Sequence, residues 1–392
     1  MLDQLPDSSL VIITGHGLLQ RSNDTTFPYR QDSNYWYLTG IDEPDIIVVF
    51  DRSSEFIMLP ARSEIRDTFD GQIDRQELAR RSGITDILDS AEGWQRVRMK
   101  HGHAARIATL KASDPYVESM GFYTNPARVR LMKLLRQELS SVRTTDIRPY
   151  VASLRAIKQP QEVAAIKAAI ELTSKSLLHM KNTVLMAGKH EYELEASITG
   201  AFRAASATHA YEPIVAAGAN ACTLHYTANK SPVKDGDLVL LDVGAEVEQY
   251  AADITRTYAV SEVNSRQREV HAAVKEAHAF ALTKLKPGIL MKEYEKEIET
   301  YMGGLLKRLG LIKKINHKTV RHYYPHATSH FLGLDVHDVG DYQKPLMAGM
   351  VLTVEPGIYI PEEAIGIRLE DDVLLTESGN QVLSMQLPLD CS

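Results

Sequence analysis

Two segments in the second half of the chain share one pattern. Gly236–Asp242 reads GDLVLLD, and Gly349–Glu355 reads GMVLTVE. In each segment a glycine precedes an apolar run typical of a buried strand, and the run ends on a carboxylate. A further glycine follows two residues after that carboxylate, at Gly244 and at Gly357. This repetition predicts a domain built from two similar halves.

Each of these strands has a matching helix before it and a second carboxylate after it. The segments LMAGKHEYELEASI, from Leu185, and LKPGILMKEYEKEI, from Leu285, both contain a glycine, then Glu-Tyr-Glu, then helical periodicity. The next predicted strands carry Asp253 and Glu370. Helix, strand and carboxylate therefore occur twice in the same order. We expect each half to give a carboxylate pair to a shared centre.

These carboxylates and one histidine form a candidate metal-ligand set. A single acidic residue at a strand end is usually a turn residue or a solvated charge, but Asp242 and Glu355 end strands that should be buried. Two carboxylates ~4 Å apart repel by ~4 kcal/mol at an effective dielectric constant of ~20, and a bound cation removes that repulsion. Carboxylate and neutral imidazole are usual ligands of divalent cations. The set comprises Asp242, Asp253, His330, Glu355 and Glu370.

The composition of this ligand set suits two divalent ions better than one. Two ions ~3.5–4 Å apart can activate a water molecule and stabilise both ends of a hydrolytic displacement. An oxygen-rich set without sulfur favours a hard ion, so we expect Mn²⁺, with Zn²⁺ and Co²⁺ as open alternatives.

Charge and hydropathy exclude several other classes. The net charge is -7, which argues against nucleic acid or an anionic membrane as the main partner. No apolar run reaches the ~18–20 residues that span a bilayer, and the N-terminal segment lacks the pattern of a secretory signal. Cys222 and Cys391 are too few for a disulfide framework or a cysteine metal site. Together these features predict a cytoplasmic protein.

The length of 392 residues favours two domains, and a boundary near Asp146–Tyr150 predicts them at 1–150 and 151–392. The first part reads as an α/β unit. Its predicted strands are Leu10–Thr14, Tyr35–Leu38, Ile46–Phe50, Phe56–Leu59 and Arg106–Leu110, and its predicted helices are Arg75–Arg81 and Arg128–Leu139. In the second part, helices are predicted near 160–186, 192–205, 267–285 and 292–309, and further strands at Pro213–Ala217 and Leu224–Thr227.

Several segments together resemble one known family. They are HYT around His225, LDVGAEVEQYAADITRTY, PHATSHFLGLDVHDVG, LTVEPGIYI, GIRLEDD at 366–372, and PYRQDSNYWYLTGIDEPD at 28–45. The set resembles the metallopeptidases of the aminopeptidase P and prolidase group. The resemblance implies a mixed α/β (α+β) protein with an N-terminal creatinase-like domain. It also implies a C-terminal pita-bread domain with an internal pseudo-twofold repeat.

The resemblance also implies roles for the candidate ligands. Asp253 and Glu370 would bridge the two metal ions. Asp242 would complete the coordination of one ion, and His330 with Glu355 that of the other. Glu355 would in addition act as the general base, taking a proton from the attacking water and passing it on.

Five further residues receive substrate roles from the same resemblance. His225 and His337 would contact the substrate and stabilise charge in the tetrahedral intermediate. His326 and Tyr359 would line the proline side of the cleft, and Arg368 would organise that wall. His326 as a packing residue and Arg368 as a simple salt-bridge partner are the alternatives. The chain departs from the family pattern at Asn34, where aspartate is frequent, near Phe69, where tryptophan is frequent, and at Ala327, where glycine is common.

The resulting hypothesis is a dimetal Xaa-Pro aminopeptidase. It would release the N-terminal residue from peptides with proline second, using a hydroxide that bridges the metals. The alternatives are an Xaa-Pro dipeptidase of the prolidase type, with the same metals, and a non-catalytic pita-bread protein that binds partners. The expected partners are proline-containing peptides and further copies of the chain in a dimer or tetramer.

Overall fold

The computed structural model describes residues 1–102, 106–112 and 120–391. The chain divides into two compact units, Met1–Leu154 and Arg155–Ser392. Among the described residues, no helix combines the length and the apolar character needed to cross a bilayer.

The first unit contains a six-stranded sheet whose centre is a fully buried strand. That strand, Ser9–Thr14, pairs antiparallel with Ile47–Phe50 and parallel with Arg106–Thr109. Its side chains alternate between two apolar clusters: Val11 and Ile13 belong to one, Leu10 and Ile12 to the other. Both faces of the sheet are therefore covered, as the period of two in a strand requires.

The elements of the first unit follow the predicted α/β pattern. In sheet order the strands are β6 (Ile87–Leu88), β5 (Glu55–Met58), β4 (Ile47–Phe50), β1 (Ser9–Thr14), β7 (Arg106–Thr109) and β8 (Thr144–Asp146), with a hairpin of β2 (Gln20–Ser22) and β3 (Thr25–Thr26) outside it. The helices are Ser33–Thr39, Glu64–Asp70, Arg75–Ser82, Ser90–His101, Ala127–Glu138 and Arg148–Ala156, the last of which runs into the second unit.

The predicted strand Tyr35–Leu38 is wrong, because this segment lies in the helix Ser33–Thr39. Its aromatic residues favour strands. However, Asp32 caps the helix by accepting a hydrogen bond of 2.9 Å from the backbone N–H of Tyr35. Gly40 ends it in the left-handed conformation at a φ of 66°. The two caps outweigh the local preference.

The second unit consists of helices that flank several small antiparallel sheets. The helices are Pro160–Thr183, Glu191–Ala204, Ser265–Lys284, Met291–Arg308 and His317–Tyr323. The strands are β9 (Thr208–His209), β10 (Ile214–Ala217), β11 (Leu238–Val243), β12 (Ala245–Val247), β13 (Tyr250–Ala251), β14 (Ile254–Ala259), β15 (Val351–Val354), β16 (Gly357–Ile360), β17 (Ile365–Arg368), β18 (Asp371–Thr376) and β19 (Gly379–Val382).

The internal repeat predicted from the sequence is present in three dimensions. One half contains the sheet β10-β11-β14 and the other the sheet β15-β18-β19. The helices Glu191–Ala204 and Met291–Arg308 begin at equivalent places, since an isolated bridge joins His190 to Pro232 in one half and Leu290 to Pro345 in the other. The turn glycines also correspond, with positive φ at Gly188, Gly288, Gly236 and Gly349.

The predicted strand Leu224–Thr227 is also wrong. A 3-10 helix, Gly218–Cys222, precedes this segment, which makes turns instead of a strand. Leu224 and Tyr226 pack against a buried cluster that contains Tyr359, whereas His225 between them is exposed. The alternation of apolar and polar residues thus arises because one face of this segment packs against the cluster, and not because the segment pairs with another strand.

A close approach of two backbone segments explains the glycine that follows β11. A Cβ atom on Gly244 would lie 1.8 Å from the carbonyl oxygen of Ala252, which precedes Asp253. Only glycine lets the chain return this closely after Asp242.

We predict that Gly244→Ala lowers the free energy of unfolding by about 1–3 kcal/mol, because the methyl group forces the two segments apart. Chemical denaturation measures this change. Gly200→Ala is the matched control: its helical site has no atom within 4 Å of the new Cβ, so it should keep or raise stability, by up to about 1 kcal/mol. Equal stabilities of the two variants would contradict the packing argument.

Candidate metal centre

Four carboxylates lie at strand ends in the second unit. Asp242 is on β11, opposite Thr255 of β14, and Asp253 directly precedes β14. In the other half, Glu355 directly follows β15 and Glu370 directly precedes β18. The backbone N–H of Glu370 donates to the carbonyl of Thr255 at 3.0 Å, so the two sheets meet here. This junction brings the four carboxylates of the two halves together.

His330 completes the cluster. Its Nε2 lies 3.4 Å from Asp253 Oδ2 and 3.4 Å from Glu355 Oε1. Its Nδ1 lies 3.0 Å from the carbonyl oxygen of Phe331 and donates to it. That hydrogen bond orients the ring so that Nε2 faces the carboxylates. Ligand atoms of Asp253, His330 and Glu370 lie within 4.8 Å of one another, an arrangement that can hold a metal ion.

The electrostatics of the cluster show a shortage of positive charge. Burial raises the pKa of Glu355 to about 7, with Asp253 and Asp242 adding to the effect, and it raises the pKa of Glu370 well above its usual range. Burial opposes a charge on His330, yet Asp253 and Glu355 outweigh it and raise the pKa of the ring to about 9. The cluster therefore attracts protons or cations. Its oxygen-rich donor set fits divalent metal ions.

Two hydroxyl groups that the sequence did not single out support the carboxylates. Tyr211 Oη lies 2.6 Å from Asp242 Oδ1 and 2.6 Å from Asp253 Oδ1. Thr255 donates from Oγ1 to Glu370 Oε2 at 2.6 Å. Thr255 follows Asp253 by two residues. Because side chains alternate between the faces of a strand, the two residues share a face, and the sequence could have suggested Thr255 on that ground. Nothing in the sequence around Tyr211 marks it.

A chain of hydrogen bonds joins the three residues assigned to the proline side. Arg368 Nη1 donates to Tyr359 Oη at 2.9 Å, and Tyr359 Oη donates to His326 Nε2 at 2.8 Å. His326 Nδ1 in turn donates to the carbonyl of Ala327 at 2.8 Å. Burial, followed by the charge of Arg368, lowers the pKa of His326 to about 3. The imidazole is therefore neutral.

Arg368 also contacts the carboxylate cluster. Its Nη2 forms an ion pair with Asp242, and its Nε donates to Thr255 Oγ1 at 3.0 Å. The residue is 4% exposed. Arg368 thus links one candidate ligand to the Tyr359 and His326 side of the site. It is both a salt-bridge partner and a contact of the residues on that side.

The two remaining histidines lie at the rim. The rings of His337 and His330 pack edge to face, with centroids 4.2 Å apart. His225 is close enough to His337 to interact with it electrostatically. Both His225 and His337 are exposed. The structure therefore brings all ten predicted site residues to one region and leaves these two accessible to a substrate.

The geometry defines a carboxylate-rich metal centre at the junction of two similar half-domains. Metallopeptidase family M24 matches residues 164–377, and the aminopeptidase P N-terminal domain matches residues 1–105. The Xaa-Pro aminopeptidase of Haemophilus influenzae is 34% identical, covering 98% of this chain and 92% of that protein. The chain belongs to metallopeptidase family M24.

Solved structures give the same result for the fold. Zinc-substituted Escherichia coli aminopeptidase P in complex with product is 32% identical, with a TM-score of 0.87 over 99% of this chain and 93% of that one. The same values hold for the E. coli enzyme with the inhibitor Pro-Leu. The predicted architecture, an aminopeptidase P-type N-terminal domain followed by a pita-bread domain, is confirmed.

We predict that Tyr211→Phe weakens metal binding by about 10- to 100-fold, because outer residues that orient ligands have effects of this size. Titration with Mn²⁺ against a competing chelator measures it. Tyr226→Phe is the control, since the hydroxyl of Tyr226 donates to Glu191 at 2.9 Å and not to a candidate ligand. Unchanged affinity in Tyr211→Phe would show that its two short contacts do not organise the site.

Proposed function

We propose that this chain is a metal-dependent Xaa-Pro aminopeptidase, which releases the N-terminal residue from peptides with proline in the second position. The observation that carries the proposal is the junction of two half-domains where four carboxylates meet His330. Membership of family M24 and the relatives named as Xaa-Pro aminopeptidases support it.

The oxygen-rich candidate set suits divalent cations, and two ions are proposed. The residues that would hold them are Asp242, Asp253, His330, Glu355 and Glu370. Divalent cations at such a centre polarise the scissile carbonyl and lower the pKa of water. Mn²⁺ is the proposed ion, since oxygen ligands outnumber nitrogen; Zn²⁺ and Co²⁺ are the alternatives.

Glu355 is the proposed general base. A carboxylate can accept a proton and return it, which suits acid–base catalysis, and Glu355 lies beside His330 in the cluster. The leaving nitrogen of proline is a secondary amine once the bond breaks, and it must gain a proton to leave. Glu355 would take the proton from the attacking water and pass it to that nitrogen.

The exposed histidines are assigned to the substrate. His225 and His337 would donate hydrogen bonds to the oxygen that becomes negative as the carbonyl turns tetrahedral. The neutral ring of His326, fixed at both nitrogens, offers an uncharged surface for the pyrrolidine ring, with Tyr359 beside it. Such a wall matters because the Xaa-Pro amide has no N–H for a general peptidase to recognise.

The state of Arg368 favours an aminopeptidase over a dipeptidase. A dipeptide places its terminal carboxylate just beyond the proline, and burying that charge without a partner costs several kcal/mol. Arg368 is a cation at this side, but its Nε, Nη1 and Nη2 already donate to Thr255, Tyr359 and Asp242. A substrate carboxylate would have to compete with these acceptors.

The identity of the metal, a cytoplasmic location and a dimeric or tetrameric state stay predictions.

We predict that Glu355→Gln lowers kcat by about 10²–10⁴-fold, because the amide cannot accept and return the proton. Steady-state kinetics of the Mn²⁺-loaded protein measures kcat, and elemental analysis separates lost proton transfer from lost metal. Glu295→Gln is a control on a nearby half-buried carboxylate that instead accepts from the backbone N–H groups of Thr328 and Ser329. Normal turnover in metal-loaded Glu355→Gln would rule out the role of general base.

The experiment that tests the proposed function compares peptide lengths. With Mn²⁺ added, Xaa-Pro-Yaa and longer peptides should be cleaved at the Xaa-Pro bond with a kcat/KM at least equal to that of the Xaa-Pro dipeptide. The chelator-treated protein serves as the blank. Turnover of dipeptides alone would make the chain a dipeptidase, and the absence of any metal-dependent cleavage would leave a binding protein.

A further inference from the structure

A cluster of four charged residues, three of them buried, lies at the loop that carries His337. Arg155 bridges two aspartates on either side of that histidine: Nη2 is 2.8 Å from Asp335 Oδ2 and forms a second ion pair with Asp338. Lys158 Nζ lies 3.0 Å from the other oxygen of Asp338. The side chains of Arg155, Lys158 and Asp338 are each 1% exposed. Asp338 therefore has two cationic partners away from water.

The sequence makes room for this cluster at one glycine. A Cβ atom on Gly333 would lie 2.2 Å from Asp338 Oδ2 and 3.1 Å from Lys158 Cε. No positive φ is found at Gly333, so its backbone conformation does not call for glycine. Glycine is required at this position because a side chain would occupy the space of Asp338 and Lys158.

Backbone hydrogen bonds close the same loop. The N–H of Asp338 donates to the carbonyl of Phe331 at 2.8 Å, and that of Gly333 to the carbonyl of Asp335 at 3.1 Å. The carbonyl of Gly333 accepts from Ala251, two residues before Asp253. The N–H of Lys158 donates to the carbonyl of Gly349, which precedes β15. The loop is thus fixed against the segment that leads to Asp253, and Lys158 is fixed against the segment that leads into β15.

His337 itself has little to hold it. It is exposed, and its ring packs edge to face on His330. A histidine that meets a developing negative charge must already point at it, because the free energy of orienting a loose side chain would be lost from catalysis. The rigidity must come from the residues around His337.

We propose that Arg155, Lys158 and Asp338 form a positioning cluster that holds the His337 imidazole in place over the metal centre. This inference rests on the substrate role proposed for His337. With Asp335, which also pairs with Arg155, the two positive charges face two negative ones. The members of the cluster are positioning residues and not catalytic ones.

The first test uses kinetics with two independent variants. Lys158→Met removes one cation but leaves Asp338 paired with Arg155, and Gly333→Ala displaces Asp338 without removing a charge. Each should lower kcat about 10- to 100-fold, the scale of a misplaced catalytic group, with KM and metal content nearly unchanged. Lys175→Met, an exposed lysine paired with Glu171, and Gly304→Ala, a helical glycine with open space, are the matched controls.

A double-mutant cycle shows whether the cluster acts through His337. In a His337→Ala background, Lys158→Met should lower kcat no further, because the group it positions is gone. Full additivity of the two losses would overturn the proposal, and so would wild-type kcat in both Lys158→Met and Gly333→Ala.

A readout that does not depend on activity separates this proposal from the proposed function. The ring Cε1–H signal of His337, assigned with His337→Ala in histidine-labelled protein, should shift or broaden in Lys158→Met and stay in place in Lys175→Met. A signal that does not move would overturn the positioning role. A moved signal together with wild-type kcat in His337→Ala would confirm positioning while refuting the catalytic role of His337.

Discussion

The structure of the second unit depends on the repulsion among four carboxylates, of which three are buried and Glu355 is half-buried. Cationic side chains offset part of this charge: Arg368 pairs with Asp242, and His330 lies beside Asp253 and Glu355. The hydroxyl groups of Tyr211 and Thr255 add neutral hydrogen bonds. These partners do not cancel the four negative charges. The pKa values of Glu355 and Glu370 are raised by burial and also because part of the repulsion remains. A centre of this kind favours divalent cations over water or protons.

The internal repeat explains how one chain brings such charges together. Each half ends one strand and begins the next with a carboxylate, and a backbone hydrogen bond from Glu370 to Thr255 joins the halves at the cluster. Close approach then requires glycine where the backbones touch, as at Gly244 against Ala252 and at Gly366, whose Cβ would lie 2.3 Å from the carbonyl oxygen of Ala221. Duplication of one strand pattern thus supplies both sets of ligands, and the glycines let them meet.

One residue, Arg368, contacts both sides of the candidate site. Arg368 donates to Asp242 on the metal side and to Tyr359 on the other, and its charge helps keep His326 neutral. Metal site and substrate wall therefore share a support. The loop of His337 is held differently, by the buried charges of Arg155, Lys158 and Asp338. In the proposed function, the accessible histidines would gain their precision from surrounding groups that hold them in place.

The sequence by itself determined the repeat, the five candidate ligands and most of the helices and strands, because these follow from local periodicity and from residues that recur in a fixed order. It also pointed to the right family. It misjudged Tyr35–Leu38 and Leu224–Thr227, where capping by Asp32 and packing against Tyr359 overruled strand-like composition. Only the tertiary structure decided the supporting contacts. Tyr211 lies 31 residues before Asp242, and Lys158 lies 180 before Asp338. Contacts across such separations are set by how the sheets and helices pack, and no local pattern encodes them.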